Sequence, residues 1–410
     1  MSLLSVREAR ERILSHFHPV QTETLPLRDV LNRVLAQDIQ AANDLPLFDN
    51  SSMDGFAIRA VDVTAAAPGS PRSLRVVADI PAGTSPTISL VPGQAARIMT
   101  GAHMPDGADS VVPVEDTDFH DRSAGTTAPE EVQILKSVRM GENVRPRGMD
   151  ILSGEVVLYR GRQLKPQDIG LLAMLGNAKI PVYQAPRIAL LSSGDELIDV
   201  DANLEEGKIR DSNSYTLAAL IESIGAQVFR MGVAKDNYDS VKSLFDRAID
   251  LQVDLIISSA GVSVGAFDFV KAVIESNGHM DFWRVNMRPG KPVAFGNYGG
   301  IPVIGLPGNP VSAFVGFEVF VRPAVARLSG LLDGTRPIVR VKAAEQIDSD
   351  GRESYLRGEI REEDGVLVAH LTGHQGSGNL HSLVQANALL IIPAGVKCVP
   401  AGQEITAWYL

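Results

Sequence analysis

Between residues 186 and 328 short apolar runs alternate with longer amphipathic ones, and nothing else in the chain constrains its fold as tightly. RIALLSS (187–193), AQVFRMGV (226–233), DLIISSAG (254–261) and IPVIGLPG (301–308) read as strands. DSNSYTLAALIESIG (211–225), YDSVKSLFDRAID (238–250), DFVKAVIESNG (268–278) and the long NPVSAFVGFEVFVRPAVARL (309–328) read as helices. Strands and helices taken in turn imply crossover connections, and therefore a three-layer α/β domain with a mostly parallel sheet.

The flanks have other textures. Ser5-Val6-Arg7-Glu8 has capping-box spacing, with Val6, Ala9, Ile13 and Phe17 following at helical intervals. PLRDVLNRVLAQDI predicts a second helix over Pro26–Ile39, and DIGLLAMLG another over Asp168–Gly176. From Pro46 to Arg145 short β-rich runs (SLRVVADI, AARIM, DSVVPVED, EVQILKSV) are broken by Gly, Pro, Asp and Thr, and beyond Gly330 short strands and turns return. The fold class is thus multidomain α/β plus β. A helical and mixed segment (1–45 with 146–181) and a small β domain (46–145) precede the α/β domain (182–329), and a C-terminal β-barrel-like domain (330–410) follows it.

Composition narrows the function. The net charge of −11 lacks the basic face that nucleic acid or an anionic membrane requires, so neither is expected as a partner. No apolar run reaches the length of a membrane span. One cysteine, Cys398, excludes an intrachain disulfide and cysteine-rich metal sites, and it fits a reducing, cytoplasmic setting. An anionic small ligand stays open, provided that a local cluster of Lys or Arg, or a metal, receives it.

Ligands of open parallel sheets bind at the carboxyl ends of strands. Three such ends here are unusual: LLSSGDEL (190–197), SSAGVSVGAFDF (258–269) and VIGLPGNPVSAF (303–314). A phosphate or sugar approaches main chain closely only where side chains are small, and Gly261 and Gly265 keep that approach open. Ser258, Ser259 and Ser263 add hydroxyl donors. Asp268 then stands at a helix start, where an N-cap explains it as well as a function does. Gly308 and Asn309 likewise suit a simple turn before Pro310 at the first helical position.

The cations and acids complete this pattern. Arg284, Arg288 and Lys291 fall within DFWRVNMRPGKPVAFG, where Pro-Gly fixes a turn that aims Arg288 and Lys291 to one side; a polar turn before a strand is the simpler alternative. Arg145 and Arg147 in NVRPRGMDI form a second basic candidate. Glu196 and Asp268 line the same rim as the phosphate-type loops. A carboxylate about 4 Å from a phosphate repels it by about 4 kcal/mol at an effective dielectric near 20. Either the acids sit further off or a divalent cation bridges them, and Mg2+ suits one or two carboxylates plus phosphate oxygens. Asp54-Gly55 in NSSMDGFAIR and Thr100-Gly101 in ARIMTGAHMPDGAD read as hairpin turns. There is no P-loop motif, no G-x-G-x-x-G after the first strand and no H-E-x-x-H; His370, His374 and His381 have no familiar metal spacing.

Seven stretches in order, SSMDGFA (51–57), RIMTGAHMPDGAD (97–109), VRPRGMDI (144–151), SSGDEL (192–197), SAGVSVGAFD (259–268), RPGKPVAFG (288–296) and LPGNPVSAF (306–314), resemble the MoeA family of molybdopterin molybdenumtransferases, relatives of the gephyrin E domain. The α/β segment alone also resembles the smaller adenylylating proteins of the same pathway; the flanking motifs separate the two. Small departures are Ser52, Phe56 in place of a usual tyrosine, and Ala260 where a second glycine is common.

The resemblance implies an enzyme of molybdenum cofactor synthesis. It takes adenylylated molybdopterin and molybdate, cleaves the adenylate with Mg2+ present, places the metal on the pterin dithiolene and releases AMP. It also implies a homodimer in which Asp54 and Thr100 reach the site from the neighbouring subunit. Glu196, Asp236 and Asp268 match the family's acids, with Glu196 and Asp268 for the metal, and Arg288 and Lys291 match its basic loop. Ser193, Gly194, Ser259, Gly261, Ser263, Gly265, Pro307, Gly308, Asn309 and Ser312 fall in its ligand loops, as do Arg147, Asp150 and, in GHQGSG, Ser377. Transient partners implied are the molybdopterin adenylyltransferase and molybdoenzyme-delivery proteins. Two alternatives compete: an adenylyltransferase acting on molybdopterin itself, and a gephyrin-like scaffold. Nothing in the sequence separates molybdate from tungstate.

Overall fold

The computed structural model describes residues 3–121, 125–259, 269–282, 284–332 and 334–410. They form two compact units, residues 1–37, 160–170 and 177–410 in the first, 38–159 and 171–176 in the second, a coarser division than the four expected segments.

The first unit is built on a six-stranded sheet in the order Gln227–Ala234, Arg187–Ser193, Leu255–Ser259, Ile301–Leu306, Ala294–Tyr298, Gly278–Phe282. The first four strands run parallel, and Ala294–Tyr298 alone is reversed, antiparallel to both of its neighbours, which leaves a mostly parallel sheet as expected. Alternate residues of Arg187–Ser193 enter separate cores. Ile188 and Leu190 pack with Leu217, Ile221 and the first helix (Val6, Ala9, Ile13, Phe17), while Ala189 and Leu191 pack with Val241, Phe245 and Val273. That two-sided burial makes the three layers. Helix starts follow their sequence caps: Ser5 and Glu8 close a capping box, and the Asp211 carboxylate accepts from Ser214 N.

Two segments differ from expectation. Residues 26–39 are not helical: Thr22–Pro26 pairs antiparallel with Lys179–Tyr183, Leu27–Asp29 makes a single 3-10 turn, and Asn32 adopts φ 63°. Leu35 then bridges Val182 in strand fashion, so pairing with a distant strand overrides a weak helical period. The long helix is interrupted by a π turn at Phe317–Val321, where Arg322 N donates to Phe317 O. Pro323 causes this: it has no N–H for the carbonyl four residues earlier, and one wider turn accommodates its ring.

The C-terminal strands of the first unit close a barrel. Glu353–Glu363 pairs with Val366–Leu371, then Ile338–Ala343, Glu404–Tyr409 and Ala388–Ile392, which returns to Glu353–Glu363. The second unit carries a five-stranded sheet ordered Ser110–Pro113, Gly55–Ile58, Gln94–Ile98, Arg72–Ile80, Glu131–Ile134. The four β runs read from its sequence supply four of those strands.

Candidate active site

The strand order of the α/β sheet reverses at Arg187–Ser193: the next strand lies on one side of it and Leu255–Ser259 on the other. Crossovers leave the sheet in opposite directions there, opening a crevice at the carboxyl ends. Ser192 stands opposite Ser259, Ser193 opposite Ala234, and Ser259 opposite Leu306. The crevice is therefore floored by small residues, with Ser192, Ser193, Ser258 and Ser259 all buried. The Ser192 hydroxyl has no hydrogen-bond partner among the described residues.

Asn213, near the start of the Ser212–Ser223 helix, ties the floor together. Its amide nitrogen lies 2.9 Å from Ser259 Oγ and 2.7 Å from the Gly308 carbonyl oxygen, donating to both. The sequence reading passed over Asn213, whose only signal was a polar residue just past the Asp211 cap. Gly308 and Asn309 are exposed and lead into Pro310–Gly316, where Asn309 is the cap residue, Pro310 opens the helix and Ser312 is buried. Pro307 is buried beneath them.

The acids sit at the next two strand ends. Gly194 adopts φ +147°, and a Cβ there would stand 2.5 Å from a Glu196 carboxylate oxygen, so the exposed Glu196 side chain folds back over bare main chain. Asp195 and Asp236 exchange bonds: each main-chain N–H donates to the other's carboxylate, at 3.3 and 3.2 Å. This joins the Asp236 loop to the Gly194 loop. No group of three or more His, Cys, Asp or Glu is gathered as for a metal among the described residues. A lone exposed carboxylate such as Glu196 fits Mg2+ all the same, since that ion keeps waters and takes phosphate oxygens for its other positions. Asp268, Gly261, Ser263 and Gly265 lie outside the described residues.

The basic loop borders the third strand end. A Cβ on Gly290 would be 3.5 Å from the Ser312 carbonyl oxygen, which sets the loop from Arg288 to Lys291 against the start of the Pro310–Gly316 helix. Arg288 is half-buried and Lys291 exposed. Val311 N donates to Ser377 O at 3.0 Å, bringing GHQGSG from the barrel to the same helix start. Arg352, which the sequence reading missed, donates to Met287 O at 3.1 Å and grips Asp350 through Nε at 3.0 Å. That hydrogen bond chiefly holds the Asp350 carboxyl at about 2, with the charge of Arg288 adding to it. Arg284 is exposed, apart from this arrangement of contacts.

In the second unit, Asp54 and Thr100 are brought together although 46 positions separate them. Thr100 N and Oγ1 both donate to Asp54 Oδ1, at 2.7 and 2.8 Å. Asp54 also borders a cavity of about 270 Å³ lined by Phe56, Arg97, Met99 and Phe119. Arg147 is engaged elsewhere in that unit: its Nε donates to Asp44 at 2.5 Å and its N–H to Asp49. Asp150 is exposed, its N–H bonded to the Leu45 carbonyl. No helix among the described residues is long and apolar enough to cross a membrane.

Comparison with known proteins agrees with this layout. Residues 4–176 match the MoeA N-terminal region (domains I and II), 189–327 a probable molybdopterin-binding domain and 340–410 the MoeA C-terminal region (domain IV). A molybdopterin molybdenumtransferase from a Nostoc species is 40% identical over 391 residues, 94% of this chain and 88% of that relative. Molybdopterin molybdenumtransferase 2 of Mycobacterium tuberculosis is 38% identical, with 99% of each chain covered. A crystal structure of the molybdopterin biosynthesis MoeA protein from Pyrococcus horikoshii covers 100% of both chains at a TM-score of 0.83 and 30% identity.

Proposed function

This chain belongs to the MoeA family of molybdopterin molybdenumtransferases, and from that premise we propose that it is a transferase that inserts molybdenum into molybdopterin during molybdenum cofactor synthesis. Its substrates in this reading are molybdate and an adenylylated molybdopterin, and AMP is the leaving product. The observation that carries the reading is the strand-end crevice, where Asn213 holds the Ser259 hydroxyl and the Gly308 carbonyl in place beside a half-buried arginine loop. Bare main chain and hydroxyl donors suit a phosphate, and fixed donors stabilise charge developing on it without reorganising.

The residues divide the work. Ser193, Gly194, Ser259, Pro307, Gly308 and Asn309 seat the adenylate and its phosphates, while Arg288, Lys291, Ser312 and Ser377 receive the oxyanion. Glu196, with Asp268, would hold Mg2+, and Asp236 braces the Glu196 loop through Asp195. Bound there, the ion would offset repulsion between carboxylate and phosphate and polarise the phosphoanhydride. Asp54, oriented by Thr100, acts from a second copy of the chain in a homodimer, and Arg147 and Asp150 serve that face. The cytoplasm, where the adenylyltransferase and the delivery proteins would meet it, is the proposed setting.

The test is to supply the full chain with adenylylated molybdopterin, Mg2+ and molybdate, and to follow AMP and protein-bound molybdenum together. Equimolar AMP and incorporated molybdenum are expected. Build-up of adenylylated pterin from molybdopterin and ATP would instead make it an adenylyltransferase, and neither reaction would leave a scaffold.

A further inference from the structure

The cavity beside Asp54 lies within the second unit and has no task in the reading above. It measures about 270 Å³, close to the lower end of small-molecule sites, which run from roughly 300 to 1,000 Å³. Phe56, Met99, Val114 and Phe119 give it an apolar wall. Met99 and Phe119 are only half-buried, so a thioether and an aromatic ring are presented to solvent. An apolar face left open in this way suits a ligand better than it suits water.

Internal contacts hold that wall in place. Phe119 stands nearly perpendicular to the buried Phe56 ring, 5.9 Å between centroids, and the Arg97 guanidinium lies over Phe119 at 5.9 Å. Arg97 is fixed in turn: its Nε donates to the Asp79 carboxylate at 2.8 Å and its Nη2 to Thr126 O at 2.7 Å. Among the described lining residues Arg97 is the one cation, and Asp79 already offsets its charge. Asp54 supplies the acceptor on the border, and the two bonds from Thr100 to Oδ1 set the direction of its carboxylate. A phosphorylated ligand would meet that carboxylate with no spare cation to offset it. A flat ring that carries N–H donors, neutral or cationic, finds both a stacking wall and an oriented acceptor.

We propose that this cavity is a second ligand site: it takes a flat heteroaromatic base against Phe119 and Arg97, with the N–H edge of the base on Asp54, and an occupied cavity slows turnover by engaging that carboxylate. The binding half stands on the cavity alone. The inhibitory half rests on the functional reading above, in which Asp54 acts in the reaction. The lining residues belong to the second unit, whereas those of the strand-end crevice belong to the first.

The test is calorimetric titration of the full chain with 2-aminobenzimidazole, a flat bicyclic base with N–H donors on one edge, run beside assays of AMP release from adenylylated molybdopterin. The expected Kd is about 1 mM or tighter, as a ligand of about ten non-hydrogen atoms allows. Phe119→Ala should raise that Kd about tenfold and leave uninhibited turnover within about twofold of the parent. Benzimidazole, which lacks the amino group, should bind about fivefold more weakly, and AMP should displace neither base. At saturation 2-aminobenzimidazole should slow AMP release about fivefold or more in the parent, with about ten times as much base needed in Phe119→Ala. Should Phe119→Ala fail to fold, Met99→Ala carries the test, with an expected rise of about threefold in the Kd. The proposal is overturned if the parent binds no 2-aminobenzimidazole, if these variants bind it as the parent does, or if AMP displaces it. Binding that leaves AMP release unchanged overturns the inhibitory half. If the base binds as stated to a chain that does not turn over adenylylated molybdopterin, the functional reading fails and the second site stands.

Discussion

Glu318 and Arg357 are both buried charges of the first unit, and their surroundings treat them oppositely. Glu318, on the π turn, accepts two pairs of bonds, from Arg322 at 2.6 and 3.1 Å and from Arg336 at 2.9 Å twice. Burial works against its ionisation, yet the two guanidiniums more than offset this and hold its carboxyl below the usual range. Among the described residues Arg357 meets only neutral acceptors, three carbonyls and the Ser382 hydroxyl. Glu318 fastens the helix end to the segment that leads into the barrel, a task completed within the protein. Arg357 stands behind the loop that carries Ser377, and neutral dipoles replace only part of its lost hydration. Opposite charges close the first site, whereas neutral dipoles alone hold the second.

The largest effect should come from breaking the balanced member. Glu318→Gln leaves Arg322 and Arg336 partly buried without their acid and is expected to cost about 3–5 kcal/mol in denaturant unfolding at neutral pH. The sign of its pH dependence follows from the lowered folded-state pKa. The stabilisation is present above the ordinary carboxylate value and is lost as pH falls through the folded-state value, so the parent should weaken on acidification while Glu318→Gln loses less. An equally steep acid loss in the variant would deny Glu318 this role. Molybdate affinity should be unchanged in it.

Gly194→Ala tests whether the acidic rim of the crevice depends on bare main chain. At φ +147° a side chain is strained by about 1–3 kcal/mol, and the new Cβ displaces the Glu196 carboxylate, so AMP release should fall far more than stability does. Wild-type turnover in the alanine variant would remove Glu196 from the site. Asn213→Ala deletes two bonds worth roughly 1–3 kcal/mol and should raise the KM for the adenylylated substrate, with the molybdate Kd untouched. A shift in the molybdate value instead would mean that the two subsites are not separate. Smallest, Thr100→Val removes one of the two bonds that Thr100 makes to Asp54, about 1 kcal/mol, and should slow turnover about fivefold without altering either ligand's affinity.

Much of this was legible in the sequence, for a physical reason. The parallel strands are short, locally encoded runs, and glycines and serines at their ends announce a crevice because small side chains leave the main chain approachable there. Asp54 and Thr100 were legible only through resemblance, since a contact spanning 46 positions leaves no local pattern. Asn213 and Arg357 were missed because each acts through partners remote in sequence: Asn213 reaches Gly308 95 positions away, and Arg357 reads as an ordinary strand residue until the barrel closes over it. The helix expected over 26–39 failed for the converse reason, a local period outweighed by pairing with residues 179–183.

The most direct measurement is the anomalous difference map of crystals of the full chain soaked in sodium tungstate, whose tetrahedral dianion stands in for molybdate. The account predicts one strong peak within hydrogen-bonding reach of Arg288, Lys291 and Ser377. Tungstate bound only away from these residues would contradict it.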